Sequence, residues 1–284
     1  MFIKCIISLF LLLTIATASQ VQVVESFGTN KTLLQKKAPQ FKKKSKKQVR
    51  EHRVVKKALK KKRRKTALKA KKPKVVIIID DISHKWQLQQ LQRLPFKVTP
   101  SIFPPNRMNM KSNLLAKGLH HFMVHLPLES GSKKMNSMYK TLYANVSKRA
   151  MQKRVEEIRR LFPNAHYVNN HTGSKFTKDY LASKKLYVTL VKNGFKFVDS
   201  RTTKESKIAK VAKFYKQRYL KSDFFIDNKL SVAAIKSQIN KGLRLAAKRG
   251  YVVMIGHPHL QTLKALRQSR NRFRSYNLIY IDEL

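Results

Sequence analysis

From residue 74 onward the chain alternates short, unbroken apolar runs with longer stretches in which apolar residues recur every three or four positions. The runs are VVIII (75–79), HFMV (121–124), YV (167–168), FKFV (195–198), FFI (224–226), YVVMI (251–255) and LIYI (278–281). Consecutive apolar positions suit strands covered on both faces, as in parallel sheets. Between them lie SKRAMQKRVEEIRRLF from Ser147, KDYLASKKLYVTLVKNG ending at Gly194, and SVAAIKSQINKGLRLAAKRG from Ser231 to Gly250. Ser147 and Ser231 suit helix N-caps, and Gly194 and Gly250 suit helix stops. Six or seven such units within residues 73–284 predict one α/β domain, either a βα barrel or an open doubly wound sheet. No glycine-rich turn follows the first run, which argues against a dinucleotide or P-loop site.

The residues that follow each run are polar. The first run ends in Asp80-Asp81, the second in His125, and the third in Asn169-Asn170-His171. Asp199-Ser200-Arg201, Asp227-Asn228 and Gly256-His257-Pro258 follow the next three. In parallel βα folds the C-terminal strand ends converge on one face, where ligands bind. An extended strand sends adjacent side chains to opposite faces, so Asp80 and Asp81 are expected to point apart.

Composition sharpens that picture. The chain has 284 residues, with 63 Lys and Arg against 14 Asp and Glu, a formal net charge of +49. Four of the scarce acids, Asp80, Asp81, Asp199 and Asp227, sit at predicted strand ends. The first residues, MFIKCIISLFLLLTIATASQ, read as an export signal cleaved after Ala18 (segment 1–18), with an uncleaved anchor as the alternative. This predicts an exported, periplasmic or secreted protein. Residues 19–72 are Lys-rich, with only Glu25 and Glu51 opposing, and are expected to be a disordered or nascently helical linker. Within it the arm 31–72 suits an anionic envelope polymer or lipid, with nucleic acid ranked lower because export removes the chain from the cytoplasm. Cys5, the single cysteine, falls inside the leader, which excludes a disulfide framework and thiolate chemistry from the mature chain.

Carboxylates and imidazoles without thiolate suit a divalent cation such as zinc in a site with an open position. The motifs IIIDD, HLPLE (125–129), NNHTGSKFT (169–177), FVDSRTT (197–203), FFIDN (224–228) and IGHPHLQTL (255–263) occur in this order. As an ordered set they resemble the divergent polysaccharide deacetylase family, relatives of the NodB-like carbohydrate esterases. The resemblance implies a distorted βα barrel of about seven strands that removes N-acetyl groups from amino sugars. By that pattern Asp80 is the general base, Asp81 and His125 are metal ligands and His257 is the general acid.

The chain departs from the NodB-like pattern at two points. Glu129 stands where those enzymes carry a second metal histidine, and NNHTGS replaces an expected Arg-x-Pro. His171 is then the geometric candidate for the missing imidazole. Asn170 is expected to help hold the oxyanion, Asp199 or Asp227 to partner His257, and Arg201 to lock a carboxylate on the rim. Phe103 and Trp86 suit either sugar stacking or packing. The competing functions are a non-catalytic glycan-binding or envelope-scaffold protein on the same fold, and a polyanion-binding protein whose arm is the working part.

Overall fold

The computed structural model describes residues 72–284, with Lys56 the one described position before them. The expected leader and nearly all of the basic arm lie outside the described residues. The sheet contains β1 (Lys74–Ile82), β2 (Thr99–Ile102), β3 (Met123–Leu128), β4 (Tyr167–Thr172), β5 (Lys196–Asp199), β6 (Leu220–Lys221), β7 (Phe224–Phe225), β8 (Tyr251–Gly256) and β9 (Asn277–Ile279). Neighbours run β6-β5-β4-β3-β2-β1-β8-β7, and every recorded strand pair is parallel.

This near-sequential order belongs to a barrel and not to a doubly wound sheet. Its margins, β6 and β7, are successive in the chain, joined by Ser222 and Asp223. The Ser222 N–H donates to Asp199 O on one margin at 2.9 Å, and the Asp223 N–H donates to Val253 O on the other at 2.8 Å. Two linking residues therefore stitch the seam of a distorted eight-strand barrel. β2 and β6 were not foreseen from the apolar runs, whereas LIYI supplies β9, which pairs with the start of β1.

The expected helices form where their caps indicate: α2 (Lys148–Leu161), α4 (Tyr180–Lys192) and α6 (Val232–Arg249). Ser147 and Ser231 accept the N–H groups of Ala150 and Ala234, and Asp179 caps α4 through the Ala182 N–H. Gly250 ends α6 at φ +89°, a left-handed conformation that costs glycine little. Shorter helices α1 (Lys85–Gln92), α3 (Ser174–Lys178), α5 (Ile208–Phe214), α7 (Leu260–Gln268) and α8 (Arg270–Phe273) fill the remaining connections.

Strand alternation divides the apolar side chains between two cores. Val75, Ile77 and Ile79 of β1 pack outward among the helices, while Val76 and Ile78 join Met123, Tyr167, Val198, Val253 and Ile255 in a smaller cluster. Continuing each column of that smaller cluster two residues further reaches Asp80, His125, Asn169, Ser200 and His257. The barrel interior is thus apolar at its base and polar at its C-terminal mouth.

Candidate active site and metal centre

Asp80 continues the interior column of β1 and is 1 % exposed. Asp81 departs from the expectation that the two carboxylates point apart. It adopts φ +60°, and the β1–β2 register shifts between Ile79 and Ile82. This bulge turns Asp81 back toward the mouth, so both carboxylates approach His125. The cost of a non-glycine residue at positive φ is of order 1–3 kcal/mol, the kind of strain that persists where surrounding contacts hold it. Thr172 at φ +53°, the last residue of β4, and Arg201 at φ +55°, just beyond β5, repeat the feature.

Three ligand atoms meet at the mouth. Asp81 Oδ1 lies 3.2 Å from His125 Nε2 and 3.1 Å from His171 Nδ1, and the two nitrogens are 3.2 Å apart. A tetrahedral zinc site with bonds of about 2.0–2.1 Å places its ligands about 3.3 Å from one another. The donor set therefore fits a small divalent cation with a position left open. The ring of Phe103, 1 % exposed, stands 5.0 Å from that of His125 and 4.9 Å from that of His171 and backs both imidazoles.

Asn169 organises this group. Its Nδ2 donates to Asp80 Oδ1 at 2.8 Å and to Ser200 Oγ at 3.1 Å. A carboxylate oxygen only accepts, which fixes the amide orientation. Asn169 Oδ1 then accepts from Ser101 Oγ at 2.7 Å and from His125 Nδ1 at 2.9 Å. His125 must carry its hydrogen on Nδ1, leaving Nε2 to face Asp81 and His171. Sequence reading passed over Asn169, Ser101 and Ser200. Two-residue alternation along β4 puts Asn169 on the same face as His171, the signal that would have found it.

In the same cleft as Asp81 and His171, His257 Nδ1 is 3.1 Å from Asp227 Oδ1. The other Asp227 oxygen accepts the His257 backbone N–H at 2.6 Å and the Thr262 hydroxyl at 2.9 Å. Asp227, not Asp199, is the partner of His257. Asp199 is engaged on the outer side of β5 by the Arg201 N–H, the Ser206 hydroxyl and the Tyr219 hydroxyl.

Two further expectations, for Asn170 and Arg201, are corrected. Asn170 falls on the outward register of β4; its Nδ2 donates to Thr172 O and its Oδ1 accepts the Ser200 N–H, so its amide shapes the turn and is not free for an oxyanion. The Arg201 side chain is exposed and forms no ion pair among the described residues; only its backbone N–H reaches a carboxylate. Glu129 accepts the Ala144 N–H and pairs with Lys175 at 2.6 Å, supporting the loop beyond β3. Gly173, at φ +89°, makes the turn after His171, where a Cβ would lie 2.9 Å from that of Leu128.

The local fields set distinct protonation preferences. Burial raises the Asp80 pKa above the ordinary carboxylate value, against the pull of His125, His257 and the Asn169 amide. Burial acts in the same direction on Asp81, but His125 and His171 outweigh it and hold that carboxyl well below its usual range. For His257 burial favours the neutral ring, yet the Asp227 hydrogen bond and the nearby carboxylates prevail and lift its pKa to about 9. The mouth opens into a cleft of about 730 Å³, lined by Asp81, His171 and His257 together with Trp86, Arg107 and Tyr139.

Residues 77–284 match the family model of divergent polysaccharide deacetylases. The chain belongs to the divergent polysaccharide deacetylase family. It is similar to the uncharacterized protein YibQ of Escherichia coli (strain K12), at 27% identity over 198 residues, covering 68% of this chain and 60% of that protein. It therefore spans less than two thirds of that relative's length. An uncharacterized protein of Haemophilus influenzae (strain ATCC 51907 / DSM 11121 / KW20 / Rd) is 27% identical over 193 residues, 67% of this chain and 69% of that one. The crystal structure of uncharacterized protein ATU2773 from Agrobacterium tumefaciens C58 superposes with a TM-score of 0.64 at 18% identity. It covers 74% of this chain and 87% of that one, a likeness of fold.

Proposed function

We propose that this family member is a metal-dependent deacetylase that removes N-acetyl groups from an envelope or cell-wall polysaccharide. The reading is carried by one observation: Asp81, His125 and His171 converge at mutual distances of 3.1–3.2 Å beside buried Asp80, in a cleft that His257 also lines. A divalent ion held by those three residues, zinc by preference for this donor set, supplies Lewis-acid polarisation of the amide carbonyl and a more acidic water.

The protein's own groups divide the proton transfers. Asp80 takes the proton of the attacking water: its Oδ1 is occupied by Asn169, while Oδ2 has no hydrogen-bond partner among the described residues. Its raised pKa makes it a stronger base than an ordinary carboxylate. His257 gives a proton to the departing amine from Nε2, because Nδ1 faces Asp227, whose hydrogen bond favours the charged ring. Trp86, 48 % exposed on the cleft wall, and Tyr139 offer faces for sugar rings.

The same proposal covers the chain's setting. The leader-like start supports export to the periplasm or beyond, and the arm 31–72 would hold the catalytic domain on an anionic envelope polymer or lipid. Acetate release from an N-acetylated glycan by the full chain, abolished in Asp81→Ala and His125→Ala, is the expected result. Sugar binding with no acetate released, even with zinc supplied, would instead establish the scaffold reading.

A further inference from the structure

We infer that Asp227, His257 and His259 form a second divalent-cation site, whose occupation silences the proposed acid. One ligand atom from each of the three lies within 4.8 Å of the others. Asp227 Oδ2 is saturated by the His257 N–H and the Thr262 hydroxyl, which fixes the carboxylate and leaves Oδ1 with His257 Nδ1 alone, at 3.1 Å. That spacing is the separation of two ligands on one ion.

The third donor comes from the loop. His259 follows the Gly256-His257-Pro258 turn and is the N-cap residue of α7, where its side chain makes no capping hydrogen bond. Its ring, exposed on the cleft wall, stands 5.9 Å from that of His257 and has no hydrogen-bond partner among the described residues. Two imidazoles and a carboxylate select borderline cations such as zinc, cobalt or nickel over magnesium or calcium.

The two centres differ in preparation. Asp81, His125 and His171 already stand at ligand spacing, with His125 held by Asn169 and both rings backed by Phe103. His259 must surrender the freedom of an exposed side chain, so the second site is the weaker one. An ion there takes the Nδ1 lone pair of His257, so the ring can no longer become an imidazolium, and giving up the Nε2 proton would leave an imidazolate, a far weaker acid. Excess metal therefore inhibits a reaction that a first ion supports. The site itself stands independently of the deacetylase reading, and only this inhibitory consequence rests on it.

Cobalt(II) added to the metal-stripped full chain, followed by calorimetry and visible absorption, tests the site without turnover. Wild-type protein is expected to bind two ions per chain with separable affinities. His259→Ala should lose only the weaker ion, and Asp81→Ala should weaken only the tighter one. A single ion at saturation, or a second ion retained in both His259→Ala and Asp227→Asn, overturns the proposal. If acetate release is established, His259→Ala should raise the inhibitory zinc concentration at least tenfold; unchanged inhibition would refute the link to His257.

Discussion

Asn169 touches no cleft surface, yet it joins the proposed base to a proposed metal ligand through one amide group. Removing it leaves Asp80 and His125 each short of a partner in a buried setting, where an unsatisfied group costs about 1–3 kcal/mol. Asn169→Ala should therefore lower stability by an amount in that range and weaken metal binding roughly 10–100-fold, the usual effect of losing a group that orients a ligand. Urea melts and competitive chelation measure the two losses separately. The His257–Asp227 pair gives a pH signature. Its His257 pKa rises from 6.5 unfolded to about 9 folded, so the contribution to stability is complete below about pH 6.5 and is lost as pH climbs through about 9. Asp227 shifts the opposite way, downward, because His257 and Thr262 together outweigh burial; its contribution is present above its ordinary value of 3.8 and is lost on acidification. In chelator-treated protein, His257→Gln should cost at most about 3 kcal/mol near pH 6, a ceiling because the ring is 28 % exposed, and much less near pH 9.5.

At the scale of elements, close approach between helix and sheet makes a separate demand. Gly242 of α6 faces Met254 of β8, and a Cβ there would meet Met254 Sδ at 2.2 Å. Gly242→Ala should destabilise by about 1–3 kcal/mol through overpacking, although alanine is the better helix former. Adding Met254→Val should recover part of the loss, since a shared steric clash makes the two changes non-additive; equal thermal melts for the single and double variants would refute it. The same elements explain what could be read in advance. α2, α4 and α6 were legible because Ser147 marks the start of the first, Gly194 the end of the second, and Ser231 and Gly250 both ends of the third, and most strands were legible as apolar runs. β2, Thr99–Ile102, reads TPSI and hides its burial behind two hydroxyls and a proline, while β6 has only Leu220 and Lys221. The metal-ligand candidates Asp81, His125 and His171 were legible as strand-end residues, but their convergence needed the bulge at Asp81, which a strictly extended strand would not provide. Asn170 and Asp199 misled because strand-end position alone does not reveal the outward register that directs them away from the mouth.

For the whole molecule, the proposed adhesion and the proposed catalysis fall in different segments of the sequence. Within the described domain many carboxylates are committed to specific partners, as Asp223 shows at the barrel seam: it accepts from Arg249 and from the Val253 N–H and pairs with Lys221 at 3.1 Å. The arm 31–72 instead concentrates Lys and Arg with Glu51 as its single acid. Each such cation near an anionic surface contributes about 1 kcal/mol at low salt, and that attraction fades as the Debye length contracts from about 10 Å at 0.1 M salt to about 3 Å at 1 M. The proposed catalysis in the cleft requires no such field if the substrate is small and neutral. Deleting 31–72 is therefore expected to abolish sedimentation with anionic vesicles or an anionic wall polymer at low salt, an association that wild-type protein loses as salt rises. Acetate release from a short neutral N-acetylated oligosaccharide should stay within about twofold, while release from the anionic polymer falls because local concentration is lost. Equal retention of the shortened and full chains on the polymer would assign adhesion to the barrel domain. Equal loss of both acetate signals would mean that the arm contributes to turnover itself, against the division proposed here.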